Sequence, residues 1–404
     1  MTTLVACLLA AYLAAALAYW LWAAYAMLRV SHGIPRMAEV APPAPSRWPR
    51  LSVIVPAANE ADKIEAAART LLAEDYPDLQ IILVDDRSTD GTGAIIDRLA
   101  AEDGRAMAIH ITELPDGWLG KVNALQTGLR EATGQFVLFT DADIHFARGT
   151  LRKAVAYAAQ ERLDHLAAFP ELWPTTVLLD AVIAAFIRQL FSLSRPWAVS
   201  DPKSRAFCGI GAFNLVRRTA LDATPGLEWL RMETGDDMAL GLLMKRSGAR
   251  CGVIAAFGYL GLVWYRSLEE MARGAERGWA TVLGFSFARA VVMALVMTGL
   301  ELGPFLTLLP LATEDFRMIG CGGIAVTAAY LATVFQAARW AGWQRLVPGL
   351  VGPLTAPLAA AMILRSAWLG RRRGGVVWRG TLYRDAQLRA GRRVAVATSR
   401  IRLP

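Results

Sequence analysis

The sequence predicts an α/β protein in which a mostly parallel, doubly wound sheet is set between N-terminal and C-terminal membrane helices. Two observations predict it. Short aliphatic runs alternate with helical runs from Leu51 onward, the pattern of a parallel sheet with crossover helices. The chain of 404 residues is also 55% hydrophobic with a mean hydropathy of +0.34, too apolar for an ordinary soluble domain.

The first apolar stretch, Leu4–Leu28, carries no charge. As a helix it would be about 37 Å long, enough to cross a bilayer. A signal peptide would have a shorter apolar core behind basic residues, and Met1–Thr3 has none. We therefore expect a permanent anchor over residues 1–30. Arg29 and Arg36 come next, which places the next domain on the cytoplasmic side of the inner membrane.

Residues 31–50 contain Pro35, Pro42, Pro43, Pro45 and Pro49 and read as a linker. The α/β domain is expected over residues 51–288. Strands are predicted at Leu51–Pro56, Gln80–Asp85, Ala108–Thr112 and Gln135–Thr140, with helices at Ala61–Ala73, Gly93–Glu102 and Lys121–Ala132. Two strands end in acids: the second in Asp85-Asp86, the fourth in Asp141-Ala-Asp143. Ligands of open α/β sheets bind beyond the carboxyl ends of the strands. Carboxylates spaced i and i+2 there can converge on a hard cation such as Mg²⁺ or Mn²⁺.

Charge excludes one class of partner. From Arg371 to the end ten arginines face one acid, whereas the other 370 residues carry 33 basic and 34 acidic groups. The net charge of +8 is thus a basic tail beside an apolar segment, suited to anionic lipid headgroups and not to nucleic acid. Cys7, Cys208, Cys251 and Cys321 show no metal-ligand spacing, so no disulfide framework is expected.

Six ordered stretches carry a resemblance: Ser52–Glu60, Val84–Thr92, Gly120–Leu125, Asp141–Asp143, Gly209–Phe213 and Gly235–Gly241. They resemble the inverting family 2 glycosyltransferases of the GT-A fold, and among these the membrane-bound lipid glycosyltransferases of hopanoid-associated, carotenoid and ceramide glucosyltransferase type. The resemblance implies transfer of one sugar from a nucleotide-sugar, a UDP- or GDP-sugar, to a membrane lipid. It places Asp86 on the nucleobase, Glu60 in the same pocket wall and Lys121 beside the diphosphate or nucleoside. Asp143 would hold the divalent ion (Mg²⁺ or Mn²⁺), with Asp141 on the ribose or the metal. Gly209 and Gly211 would let backbone approach the donor or acceptor, or simply form a tight turn. Asp237, next to Asp236, would be the base that takes the acceptor proton, and paired carboxylates raise a pKa in the sense a base needs. His145 is the less favoured extra metal ligand.

Polymerising synthases of the family carry Gln-x-x-Arg-Trp. The corresponding stretch here is Arg273–Trp279, with Gly278 between Arg277 and Trp279, which disfavours polymer synthesis. A non-catalytic nucleotide-sugar-binding protein is a further alternative, but it would be expected to lack Asp143 or Asp237. Trp378–Tyr383 resembles a Trp-x-Gly-x-x-Tyr ending in lipid-modifying relatives, or serves as an interfacial anchor.

Thr176–Leu193 contains Asp180 and Arg188 and is expected to lie at the interface, as is Glu269–Ala288. Membrane segments are expected at Ala290–Leu311, Ile319–Ala338 and Leu346–Leu369 within residues 289–370. Four full crossings would put the basic tail, residues 371–404, outside, against the positive-inside tendency. Leu346–Leu369, with three prolines, is therefore expected to be broken and re-entrant.

Overall fold

The computed structural model describes residues 2–394. Two compact units divide the chain, and the division differs from that read in the sequence. One unit gathers residues 34–173, 196–264 and 377 onward; the other holds the N-terminal helix, residues 174–195 and residues 265–376.

The sheet unit contains β1 (Leu51–Ala57), β2 (Leu79–Asp86), β3 (Ala106–Ile111), β4 (Phe136–Phe139), β5 (His145–Phe146), β6 (His165–Phe169), β7 (Glu171–Leu172), β8 (Asn214–Arg217), β9 (Cys251–Ala255) and β10 (Leu260–Leu262). Seven of them form one sheet in the order β3-β2-β1-β4-β8-β6-β9. All pairings are parallel except those of β8, which runs antiparallel to both β4 and β6. β1 and β4 are buried along their whole length, which is why they read as mostly apolar runs without alternation. Helices Ile64–Leu72, Thr92–Glu102 and Gly120–Glu131 come after β1, β2 and β3, within a few residues of expectation.

Register brings the functional ends together. Ala57 of β1 pairs with Asp85 of β2, and Ile54 pairs with Phe139 of β4. The residues that leave these strands, Asn59-Glu60, Asp86-Arg87 and Asp141–Asp143, therefore share one edge. Because β8 is antiparallel, its entry loop Gly209–Phe213 reaches the same edge. The proline-rich stretch is not a free linker: Arg36 bridges Ala255 and Met37 is fully buried.

In the second unit the helix Thr2–Gly33 packs Ala16, Trp20 and Ala23 against Val326, Tyr330 and Val334 of the helix Arg317–Ala341. By length and composition four helical runs among the described residues could cross a membrane: Thr3–Gly33, Val177–Ala198, Arg317–Ala341 and Trp343–Arg373. Two expectations change. Ala290–Leu311 is not one helix; Phe287–Glu301 ends at Glu301 and is bent 112° from Leu268–Val282. Leu346–Leu369 is a continuous helical run, with a 3₁₀ turn at Gly352–Thr355 between Leu346–Val351 and Ala356–Arg373. Pro353 and Pro357 each fall in the first turn of a segment, where the missing N–H breaks no hydrogen bond.

Asp180 and Arg188, read in the sequence as groups seeking water, are both buried. Asp180 accepts from Thr175 Oγ1 at 2.7 Å and lies 3.7 Å from Arg345. Arg188 pairs with Glu301, sits 4.7 Å over the Trp20 ring, and Glu301 also accepts from Gln189 at 3.0 Å and from Tyr19. Their charges are neutralised inside the protein, so they do not mark a wet face.

Candidate active site

At the shared sheet edge, the helix Asp236–Arg246 starts with two acids in its first turn, where the helix dipole favours negative charge. Gly211 N–H donates to Oδ2 of Asp237 at 3.0 Å. Gly211 C=O in turn accepts from the Asp141 N–H at 3.0 Å. Lys121, in the first turn of its helix, lies 2.7 Å from Asp141 Oδ1 and 3.2 Å from Asp236 Oδ2. These groups line a small cleft, with Thr140 beside them and Leu227, Leu230 and Leu240 as its apolar wall.

The electrostatics arise from this crowding. Burial first, then the Asp236 charge, pushes Asp237 up to about 6, against the pull of Lys121. Burial works against the Lys121 ammonium, but Asp141, Asp236 and Asp237 outweigh it and raise its pKa. The cleft thus pairs a fixed cation with a carboxylate poised to take a proton near neutral pH.

The two glycines are explained by close approach to the protein itself, Gly209 to the backbone of Asp237 and Gly211 to the side chain of Asp141. Neither has a positive φ, so neither is required by a turn. A Cβ on Gly209 would lie 1.7 Å from the Asp237 carbonyl oxygen, and one on Gly241 would lie 2.1 Å from that of Cys208. A Cβ on Gly211 would meet Asp141 Oδ2 at 2.4 Å. Absent side chains let the Cys208–Gly211 segment lie directly on the helix that carries Asp237.

Asp143 is half-buried, 4.0 Å from Lys63. Burial, and then the neighbouring Asp141 charge, pushes it up to about 6. Two crowded carboxylates with hard oxygen donors fit a divalent cation. Among the described residues no three His, Cys, Asp or Glu side chains gather to hold a metal on their own, so further ligands would come from a bound molecule or water. His145 is not placed for this role; its ring packs 4.8 Å from that of Trp173, and burial lowers its pKa.

Asp86 is placed at the edge, but its side chain is wholly buried beneath Arg87, whose Nε donates to Oδ1 at 2.8 Å. A nucleobase reaches that carboxylate only if Arg87 moves. Burial raises the Glu60 pKa, against the pull of Arg379, 3.8 Å away, and of Lys63. Lys63, Arg87 and Arg379 were not singled out in the sequence, whereas Tyr383 was, as the end of the Trp-x-Gly-x-x-Tyr pattern. Only the Trp-x-Gly-x-x-Tyr pattern around Arg379 offered a signal.

Residues 52–188 match the family described as "Glycosyl transferase family 2". This segment is a family 2 glycosyltransferase domain. The glycosyltransferase domain is 36% identical over 103 residues to a GalNAc(5)-diNAcBac-PP-undecaprenol beta-1,3-glucosyltransferase of Campylobacter jejuni, covering 26% of this chain and 32% of that protein. A beta-monoglucosyldiacylglycerol synthase of Synechocystis sp. is 25% identical over 256 residues, covering 58% of this chain and 51% of that one. The matches therefore span about a third to a half of the relatives' length. In structure the chain resembles the mannosyltransferase PcManGT from Pyrobaculum calidifontis, solved in complex with GDP-Man and Mn²⁺. The TM-score is 0.53 at 21% identity, covering 92% of this chain and 99% of that one. This likeness establishes a shared GT-A-type fold around the glycosyltransferase domain.

Proposed function

We propose that the protein is an inverting glycosyltransferase that moves one sugar from a UDP- or GDP-sugar to a lipid held in the inner membrane, with the sheet unit on the cytoplasmic side. The observation that carries the reading is the Asp237 carboxylate, raised in pKa and fixed by the Gly211 N–H beside Lys121. An acceptor hydroxyl attacks the anomeric carbon and its proton passes to Asp237. The new C–O bond forms on the face opposite the departing nucleoside diphosphate, whose C–O bond breaks, so the configuration inverts. Lys121 supports Asp141 and Asp236 and sets positive charge next to the leaving group.

Asp143, with Asp141, would hold Mg²⁺ or Mn²⁺, which when bound supplies charge neutralisation to the departing diphosphate. Supporting the donor class, the similar mannosyltransferase binds GDP-Man with Mn²⁺. Supporting the lipid acceptor, the names of two relatives specify an undecaprenol-linked and a diacylglycerol-linked product, and four helical runs are long and apolar enough to cross a membrane. The test is incubation of membranes containing the protein with a panel of labelled nucleotide-sugars, followed by lipid extraction. One labelled glycolipid, with its anomeric centre inverted by NMR, is the expected product. Label in a water-soluble polymer, or no transfer from any donor, would overturn the reading.

A further inference from the structure

The C-terminal segment, which the sequence presents as a basic tail, folds onto the sheet unit at three points. Tyr383 is buried, and its hydroxyl oxygen accepts from the Gly120 N–H at 3.1 Å and meets Arg87. Leu388 is buried in the helix Asp385–Gly391, and Gly391 lies so close to Met232 that a Cβ there would meet the Met232 Cβ at 2.2 Å. Glu233 accepts from the Val394 N–H at 2.8 Å and from the Arg393 N–H, while Arg393 Nε donates to the Trp229 carbonyl at 3.0 Å. These contacts reach from the Asp86-Arg87 turn to the loop that precedes Asp236.

Arg379 stands at the turn of this segment with φ +48, followed by Gly380 at φ +78. Left-handed backbone is uncommon for a residue with a side chain. Its Nη2 is 3.8 Å from Glu60 Oε1, yet Nη1 is buried and has no hydrogen-bond partner among the described residues. Leaving a charged donor buried and unsatisfied is costly unless something else completes it. Glu60 also feels Lys63 and Asp141, and Lys63 faces Asp143. The guanidinium therefore stands among the charged groups of the same edge where the donor diphosphate is read. A planar guanidinium is well matched to phosphate oxygens.

We propose that Arg379 is a donor-binding residue brought by the C-terminal segment, and that its guanidinium takes a phosphate oxygen of the nucleoside diphosphate. This rests on the reading of the edge as a nucleotide-sugar site. Full-length protein in detergent is titrated with UDP and GDP in Mg²⁺, and in competition with uridine and guanosine. Arg379→Ala and Arg379→Gln should weaken binding of the nucleoside diphosphates by about tenfold or more, with nucleoside binding unchanged and Arg379→Lys intermediate. Thermal melts without ligand establish that the variants are folded. Should one alanine or glutamine variant fail to fold, the other and the lysine variant carry the comparison. Diphosphate binding equal to wild type in the folded variants would overturn the proposal. So would parallel loss of nucleoside and diphosphate, which would make Arg379 a support of the wall only. If the wild-type protein binds neither UDP nor GDP, the reading of the site itself fails.

Discussion

The backbone of Gly211 joins Asp237 and Asp141: its N–H donates to Asp237 Oδ2 at 3.0 Å, and its C=O accepts from the Asp141 N–H at 3.0 Å. One residue, through its two adjoining peptide groups, thus ties the group proposed to take the proton to the acids proposed to face the donor. Asp237→Asn keeps the shape and removes the base. Transfer should fall by at least about 10²-fold, while UDP and GDP binding stays within a few-fold. A parallel loss of affinity would show Asp237 to be a binding group.

Asp237 titrates with its pKa raised to about 6, and only its ionised form accepts a proton. The rate of transfer at saturating substrates should therefore be low below that pH and rise to a plateau above it. An ordinary aspartate, near about 4, would give a profile already flat at pH 5. The pH profile of the rate at saturation distinguishes the two.

Asp143→Ala should abolish transfer, and EDTA should do so reversibly, with Mg²⁺ or Mn²⁺ restoring it. The two crowded carboxylates motivate this. Full transfer in EDTA would remove the metal from the reaction.

Gly209→Ala places a Cβ against the Asp237 carbonyl at 1.7 Å, and backbone, unlike a side chain, cannot rotate away. We expect a loss of at least about 1–3 kcal/mol in stability and a displaced Asp237. Thermal unfolding and transfer rate should both fall; a variant with wild-type values in each would contradict the close approach.

Glu301→Ala strands the buried Arg188 guanidinium and should cost about 3–5 kcal/mol, read as an earlier unfolding transition in detergent. The double variant Arg188→Met, Glu301→Leu removes both charges and should recover most of the loss. If the double variant melts as early as Glu301→Ala, stranded charge is not the cause.

The sheet was legible because β1, β2 and β4 are mostly apolar runs that end abruptly in acids or in Asn59-Glu60. The chain beyond Thr140 was harder to read. The antiparallel insertion of β8 leaves no local mark, since Asn214–Arg217 has only two apolar residues, too few to show a strand's pattern. Gly209 and Gly211 left two explanations open, because a glycine demanded by a neighbouring backbone looks the same in sequence as one demanded by φ. Asp180 and Arg188 were read as wet because their partners, Arg345 and Glu301, lie far along the chain. Arg379 stayed hidden for the same reason: its partner Glu60 belongs to the other end of the sheet unit's sequence.

β6 and β8 are hydrogen-bonded neighbours, and the helix Val177–Ser194 lies between them in the chain. A single passage through a bilayer would leave those two strands in different aqueous compartments. The number of passages between them must be even, and one helix supplies none. The same parity governs the stretch from β10 to Tyr383, because Tyr383 meets Gly120. If Arg317–Ala341 and Trp343–Arg373 both cross, the even count requires that the bent Leu268–Glu301 pair does not.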